Sequence, residues 1–515
     1  MDQGRRLVLN TISGQVSFGV SAVIALFLAS YVLGSLGKST YGIWALVGSS
    51  FIYHSFLTMG LNSAVNRWVP IYLVKKDYDG INRVINTVLF FYLISGALLV
   101  VVVAILAYGF PYWFDVPPEL HSESRIMVVV AGAGYVSLIV FNILPAVLSG
   151  LQRYDLLAAS DITADVARLL GVIALFGSGL VITDGSRLIA LAAVVAGCQL
   201  LRVGLKSVFA IRNYKHLKIG LSLARWQTFR SMIGYSVNTA FISFSQAIQN
   251  NSAVILVGAL LGTAAVTEYF MPMMLTGVIA SIVGQGSAAI KPAASKMEAE
   301  ERPDHVQKLY LKSSKYALMI LFPTTAFMIA FGEDVLQIWL KKGFGASAGT
   351  ILAILAVSKL FSAWHRPAVM VIIGLGKHRF LGITTFAKAI FSIILGYILG
   401  GVFEFGVVGV AAGFAIPEIV LALFPLASYC CRMVGLRVRD EVKASVLPAI
   451  LAALPVLAVT IGARLLVEPK SIGQLIGLVA VLAVPTLAGW WFIGFSQEER
   501  KRFAGMIPMP GRRSL

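Results

Sequence analysis

Hydrophobic positions in this chain fall in long, nearly unbroken runs, unlike the short alternating or one-sided stripes of a water-soluble fold. A helix needs about 20 largely apolar residues to cross a bilayer. Fourteen stretches meet that requirement, near 9–35, 41–66, 84–110, 126–150, 161–182, 187–211, 230–260, 265–290, 313–332, 349–375, 379–401, 406–431, 445–466 and 472–495. Most are apolar on every face, as suits helices surrounded by lipid or by other helices. The period-two alternation of a membrane β-barrel is absent. Gly and Pro interrupt the runs, which lipid-embedded helices tolerate. The pattern predicts an all-α polytopic membrane protein of about 14 transmembrane helices.

The runs also repeat. Gly60-Leu61-Asn62-Ser63-Ala64-Val65-Asn66-Arg67 closes the second, and Gly284-Gln285-Gly286-Ser287-Ala288-Ala289-Ile290-Lys291 closes the eighth, 224 residues later. The same offset carries Gly150-Leu151 to Gly374-Leu375 and Gly34 to Gly258. Two six-helix repeats in the same orientation, followed by two C-terminal helices, account for this. Parallel repeats place a substrate path at their interface. The expected organisation is an N-lobe over 1–211 (helices 1–6), a basic cytoplasmic or interfacial linker over 212–229, and a C-lobe over 230–432 (helices 7–12). Helices 13 and 14 occupy 433–496, and a basic cytoplasmic tail runs over 497–515. The region 212–230, RNYKHLKIGLSLARWQTFR, reads either as a segment lying in the headgroup layer or as an ordinary basic loop.

Composition narrows the class. Of 515 residues, 58% are hydrophobic and only 13% charged, with a mean hydropathy of +0.84, which excludes a soluble enzyme and a disordered chain. The net charge of +18 would suggest a nucleic-acid partner in a soluble protein, but here it is topological and implies none. With the N-terminus in the cytoplasm, 31 of the 42 Lys and Arg fall on the cytoplasmic side and 7 on the other. Four more, Arg67, Lys291, Lys359 and Arg366, lie within or at the ends of spans. The positive-inside bias therefore puts both termini in the cytoplasm. Arg5 and Arg6 precede an apolar run without a small-residue cleavage site, so an uncleaved first span is expected. Cys198, Cys430 and Cys431 have no His at ligand spacing, so neither a disulfide framework nor a metal site is expected. Tyr41, Trp44, Tyr112, Trp113 and Trp490 are placed in the interfacial aromatic belts.

No Walker A or HExxH motif is present, so no catalytic residue and no cofactor are assigned. Polar residues at membrane depth are costly and are the functional candidates. Lys359 and Arg366 are seven apart, two turns on one helix face, and fit capture of an anionic headgroup such as a pyrophosphate. Arg67 and Lys291 occupy matching places in the two repeats, either anchoring cytoplasmic helix ends or drawing an anion inward. Glu418, after Pro417, is either a titrating group coupled to H+ or Na+ or a static partner of Lys359 or Arg366. Asp161 and Asp165, one turn apart at the opening of span 5, are either N-terminal caps or cation-coupling groups. Asn238, Gln246, Gln249 and Asn250 in span 7, with His54 and Asn62 in span 2 and His365 in span 10, suit a hydrated wall that meets sugar hydroxyls. Interhelical hydrogen bonding is the alternative role for such amides.

The Gly60 to Arg67 segment, the turn Gly150-Leu151-Gln152-Arg153-Tyr154 and the repeated six-span unit resemble the Wzx-type polysaccharide flippases. These belong to the multidrug/oligosaccharidyl-lipid/polysaccharide (MOP) exporter superfamily. The resemblance covers spans 1–12, and two further spans match fourteen-helix members. It implies two lobes around a central cavity, alternating access, and a substrate of undecaprenyl-pyrophosphate-linked oligosaccharide. The implied movement is from the cytoplasmic to the periplasmic leaflet of a bacterial inner membrane, for cell-surface polysaccharide biosynthesis. It further implies that cationic cavity residues hold the pyrophosphate; the candidates here are Arg67 and Lys291, with Lys359 and Arg366 added on depth and charge alone. Membrane lipids, a polysaccharide polymerase and glycosyltransferases would be its partners. A cation-coupled multidrug exporter of the same superfamily, a membrane glycan polymerase or ligase, and a lipid II flippase, which differs in substrate and not in mechanism, are the alternatives. A polymerase or ligase would be expected to carry a long external loop, and the external segments near 111–125 and 333–348 are short.

Overall fold

A computed structural model describes the chain from Gln3 to Met506, except for 52–53, 59, 180, 182, 288–289, 342, 345 and 376–378. At 3–12, 54–55, 63, 234–239, 379, 502–503 and 505–506 it describes the backbone alone. Among the described residues the secondary structure is helical throughout, and 11 helices are long and apolar enough to cross a membrane. Two of these are double. The helix Gln3–Phe51 is interrupted at Gly37 (φ 77°) and the helix Trp226–Gly286 at Gly262 (φ 79°). Glycine alone enters that region without strain, so each glycine ends one passage and starts the next. One more passage, Tyr154–Gly177, is long enough but carries several charged residues. Those three complete the fourteen passages of a multi-pass membrane protein.

The repeat is visible in how these helices break. In the first copy, the fourth passage divides into His121–Phe141 and Ile143–Gly150. In the second, the tenth divides into Ala346–Trp364 and Arg366–Gly374. The later break has a covalent cause. Pro367 has no N–H to offer the carbonyl one turn earlier, so helical bonding restarts with the Val369 amide on the His365 carbonyl, at 2.9 Å. Each short helix then packs on the segment that follows the preceding hairpin. A Cβ at Gly150 would meet Val69 of Leu61–Val74, and one at Gly374 would meet the Lys291 carbonyl and Ala294 of Ile290–Ala299.

The chain divides into two compact units. The first comprises 1–270 with 382–410, and its helices approach closely through small residues. Gly132 faces Val103, Gly134 faces Ala196 and Gly171 faces Val194. Such contacts take the place of the hydrophobic effect between helices that lipid already solvates. The second comprises 271–381 with 411–515 and is organised along the helix Pro303–Leu340. That helix runs past three apolar clusters, around Tyr310, Leu318 and Phe331. Side chains such as Val100, Val101 and Ile105 in the first unit and Val484 and Leu487 in the second are exposed, as lipid-facing positions require.

The interfacial belt needs one correction. Tyr112 and Trp113 are exposed, but Tyr41 is buried. It follows the Gly37 break directly and packs toward Phe270, its ring centroid 6.3 Å away.

Candidate functional site

The strongest concentration of charge at membrane depth is in the first unit. The helix Tyr154–Gly177 starts earlier than its hydrophobic run, with Arg153 at the cap position and Asp155 in the first turn. Asp161 and Asp165 therefore do not cap it. They lie about 10 Å and about 16 Å along its axis from Tyr154, deep relative to a hydrocarbon core of about 30 Å.

Both carboxylates are met by the next helix, Asp184–Asn213. Lys206 Nζ is 2.7 Å from Asp161 Oδ1, and Arg202 Nη2 donates to Asp165 Oδ1 at 2.6 Å. Antiparallel packing explains the match, because as one index rises by four its partner falls by four. Arg202 Nε also lies 3.4 Å from Asp161 Oδ1, so its guanidinium bridges both acids. Arg168 is 3.4 Å from Asp165 Oδ1, and Ser21 donates to Asp165 Oδ2. The Asp165 side chain is only 5% exposed. Three bases on two carboxylates leave the network with a formal excess of one positive charge. A cation entering here would have to displace Arg202 or Lys206.

Arg202, Lys206 and Arg168 were missed as site residues, because the positive-inside tally counted them with the cytoplasmic charge although they fall inside the spans 161–182 and 187–211. The signal was present as two acids four residues apart on one span and two bases four apart on the next.

A second network closes the C-terminal end of the second unit. Lys315 is buried, and its Nζ donates to Glu499 Oε2 at 2.7 Å and to the Gly494 carbonyl at 3.1 Å. Tyr316 Oη donates to Glu499 Oε1 at 2.7 Å. Ser496 and Glu499 form a reciprocal cap, with the Ser496 amide on Glu499 Oε2 at 2.8 Å and the Glu499 amide on Ser496 Oγ at 3.3 Å. Burial acts to raise the Glu499 carboxyl, but the hydrogen bonds from Lys315, Tyr316 and Ser496 outweigh it and hold it at about 2. The Ser-x-x-Glu spacing at 496–499 was the sequence signal for this helix start. The tail expected to be merely basic and cytoplasmic thus contains a helix, Gln497–Met506, clamped to the end of the preceding span.

The expected pyrophosphate residues differ in setting. Arg67, Lys291 and Arg366 are exposed, and Lys359 is half-buried. Arg67 stands 5.8 Å from the Trp68 ring centroid. Lys359 and Arg366 do not share one continuous helix, because the break at His365 separates them. His365, expected along a wet wall, is 1% exposed and lies against Trp364, ring centroids 4.3 Å apart. Glu418 is half-buried in Gly406–Leu421. Asn62 accepts from Tyr92 Oη at 2.7 Å, an interhelical bond. In span 7, Ser243, Gln246 and Asn250 are exposed and recur at helical spacing, giving one polar stripe, while Gln249 is half-buried. The side chains of His54 and Asn238 lie outside the described residues.

No family model matches the chain. A curated relative, the uncharacterised membrane protein EpsK of Bacillus subtilis (strain 168), is 18% identical over 437 residues, covering 84% of each chain. Among solved structures, an inward-facing multidrug resistance transporter of the MATE family, MOP superfamily, matches with a TM-score of 0.69 at 15% identity, over 84% of this chain and 96% of that one. The lipid II flippase MurJ in an inward closed conformation matches with a TM-score of 0.68 at 13% identity, over 94% of this chain and 98% of that one. A MOP superfamily transporter from Pyrococcus furiosus, described as having a binding pocket of reverse polarity, matches with a TM-score of 0.62 at 16% identity, over 84% and 96%. The chain has the fold of MOP superfamily transporters.

Proposed function

We propose that this protein is a transporter, not an enzyme, and that it flips an undecaprenyl-pyrophosphate-linked oligosaccharide from the cytoplasmic to the periplasmic leaflet of a bacterial inner membrane by alternating access. Cell-surface polysaccharide biosynthesis is the process it serves. The observation that carries the reading is the sign of the accessible charge. Arg67, Lys291 and Arg366 are exposed at or near membrane depth, whereas Asp161 and Asp165 are already neutralised by bases. An anionic headgroup finds partners in exposed cations of this kind. Guanidinium groups bind phosphate bidentately and ammonium groups bind it as point charges. The polar stripe of Ser243, Gln246 and Asn250 supplies donors and acceptors for sugar hydroxyls. The lipid tail stays in the bilayer, which avoids dragging an unpaired pyrophosphate through hydrocarbon.

The second reading is a multidrug exporter driven by H+ or Na+, supported by the equally good match to a MATE fold. The two separate on ligand charge. With the purified protein in nanodiscs, an isoprenyl-pyrophosphate oligosaccharide should raise the thermal midpoint. Lys359→Ala/Arg366→Ala should weaken that response about tenfold or more, as expected for lost charge-assisted hydrogen bonds. Stabilisation by cationic dyes alone would favour the exporter.

A further inference from the structure

The region joining the two repeats, 212–230, is held along the first unit by a regular set of hydrogen bonds. Asn82 donates to the His216 carbonyl and accepts from the Lys218 amide, both at 2.9 Å. Asn86, one turn on, donates to the Lys218 carbonyl at 2.6 Å and accepts from the Gly220 amide at 2.8 Å. Thr87 accepts from the Arg225 amide at 3.1 Å. The two asparagine amides thus pair with an extended backbone much as a neighbouring strand would. Stacking pins the segment near both ends, with His216 on Tyr78 at 4.0 Å and Phe229 on Phe91 at 3.5 Å between ring centroids.

The segment's outward side chains are of two kinds. Ile219 is 59% exposed, Leu221 55% and Trp226 68%. Arg212, Lys215, Lys218, Arg225 and Arg230 are all exposed, and the segment contains no acidic residue. Two acids stand near it. Asp77 is turned to cap the Gly80 amide, and Asp79 lies 4.0 Å from Lys218. The segment leaves the end of Asp184–Asn213, enters the start of Trp226–Gly286 and lies against the start of Tyr78–Trp113. Three helix ends therefore meet at it.

We propose that this strap is a docking surface for anionic phospholipid. Ile219, Leu221 and Trp226 enter the boundary between headgroups and acyl chains, and the five cations engage the surrounding phosphates. A strap standing in water would leave three large apolar side chains without cover, whereas an interfacial segment buries them. Charge then selects the lipid, since each basic residue near an anionic surface strengthens binding about fivefold.

The test uses the full chain in nanodiscs and the emission of Trp226, isolated as the difference between the wild type and Trp226→Phe. Acyl chains are brominated either on phosphatidylglycerol or on phosphatidylcholine in otherwise identical mixtures. The brominated phosphatidylglycerol should quench Trp226 more strongly. High salt should remove the preference by screening. Lys215→Gln/Lys218→Gln/Arg225→Gln should remove it too, with an unchanged thermal midpoint. If that variant is misfolded, the salt titration of the wild type decides alone. No quenching by either lipid places the strap in water and overturns the proposal. Equal quenching by both leaves insertion without selection for charge and overturns it as well.

Discussion

Ser39 and Thr263 stand 224 residues apart, the repeat distance itself, and their hydroxyls are hydrogen-bonded to each other at 2.8 Å. A residue bonded to its own counterpart sits where the two copies of the motif face one another. The neighbouring contacts share this close approach. Thr267 donates to the Lys38 carbonyl at 2.6 Å, and Lys38 pairs with Glu268 at 3.2 Å. A Cβ on Gly42 would be driven into the Thr263 carbonyl. Gly42→Ala should therefore destabilise by about 1–3 kcal/mol through overpacking. Ser39→Ala, which removes one hydrogen bond, should cost about 1 kcal/mol. Thermal unfolding of both variants in detergent checks the order, and equal midpoints would refute the close approach.

The Asp165 network predicts strong non-additivity. Asp165→Asn leaves Arg202 and Arg168 without their buried counter-charge and should cost about 3 kcal/mol or more. Arg202→Gln alone should be similarly harmful, since it strips both carboxylates of a shared partner. The double variant should be less harmful than the sum of the singles, as residues in one network are. Additive losses in a double-mutant cycle on thermal stability would show that the acids and bases act separately.

Glu499 makes a pH-dependent clamp. Its carboxyl is held at about 2, below its ordinary value of 4.5. Its contribution is therefore present in full above that ordinary value and is lost as pH falls from there through about 2. The loss runs at about 1.4 kcal/mol per pH unit across the window. Glu499→Gln should release the helix Gln497–Met506 at neutral pH, seen as faster proteolysis of the tail. The gap between variant and wild type should narrow only below the ordinary carboxylate range. A gap that closes between pH 7 and 5 would contradict the clamp.

By contrast, the pair between Arg153 and Asp155 in the turn after the fourth passage is partly exposed, although its Nη2–Oδ2 distance is 2.9 Å. Arg153→Ala should change stability by less than about 1 kcal/mol. A larger loss would indicate that its second bond, to Asn213 at 2.7 Å, fixes the neighbouring helices.

The helices were legible in the sequence because lipid imposes one simple demand, a long apolar run, and the repeat was legible because its glycines mark breaks and close contacts. Gly150 and Gly374 were singled out by spacing, and each proves to be where a side chain would collide with the adjacent segment. What escaped depends on partners distant in sequence. Tyr41 has the composition of a belt residue, and only the packing beyond Gly37 buries it. Arg202 and Lys206, near the cytoplasmic end of their span, count as orienting charge until the antiparallel helix brings Asp161 and Asp165 against them. Lys359 and Arg366 fit two turns of one helix by spacing, and the break at His365, set by Pro367, separates them.

Movement of an anionic lipid-linked glycan between leaflets, the function proposed above, is read by reconstituting the purified protein into proteoliposomes with a fluorescent undecaprenyl-pyrophosphate oligosaccharide in both leaflets. A membrane-impermeant reagent then reads how much label becomes accessible outside. The protected half should become accessible with the wild type, and about tenfold or more slowly with Lys359→Ala/Arg366→Ala of unchanged thermal midpoint. A protected half that stays inaccessible, in vesicles that exchange a cationic drug for protons or sodium, would contradict it.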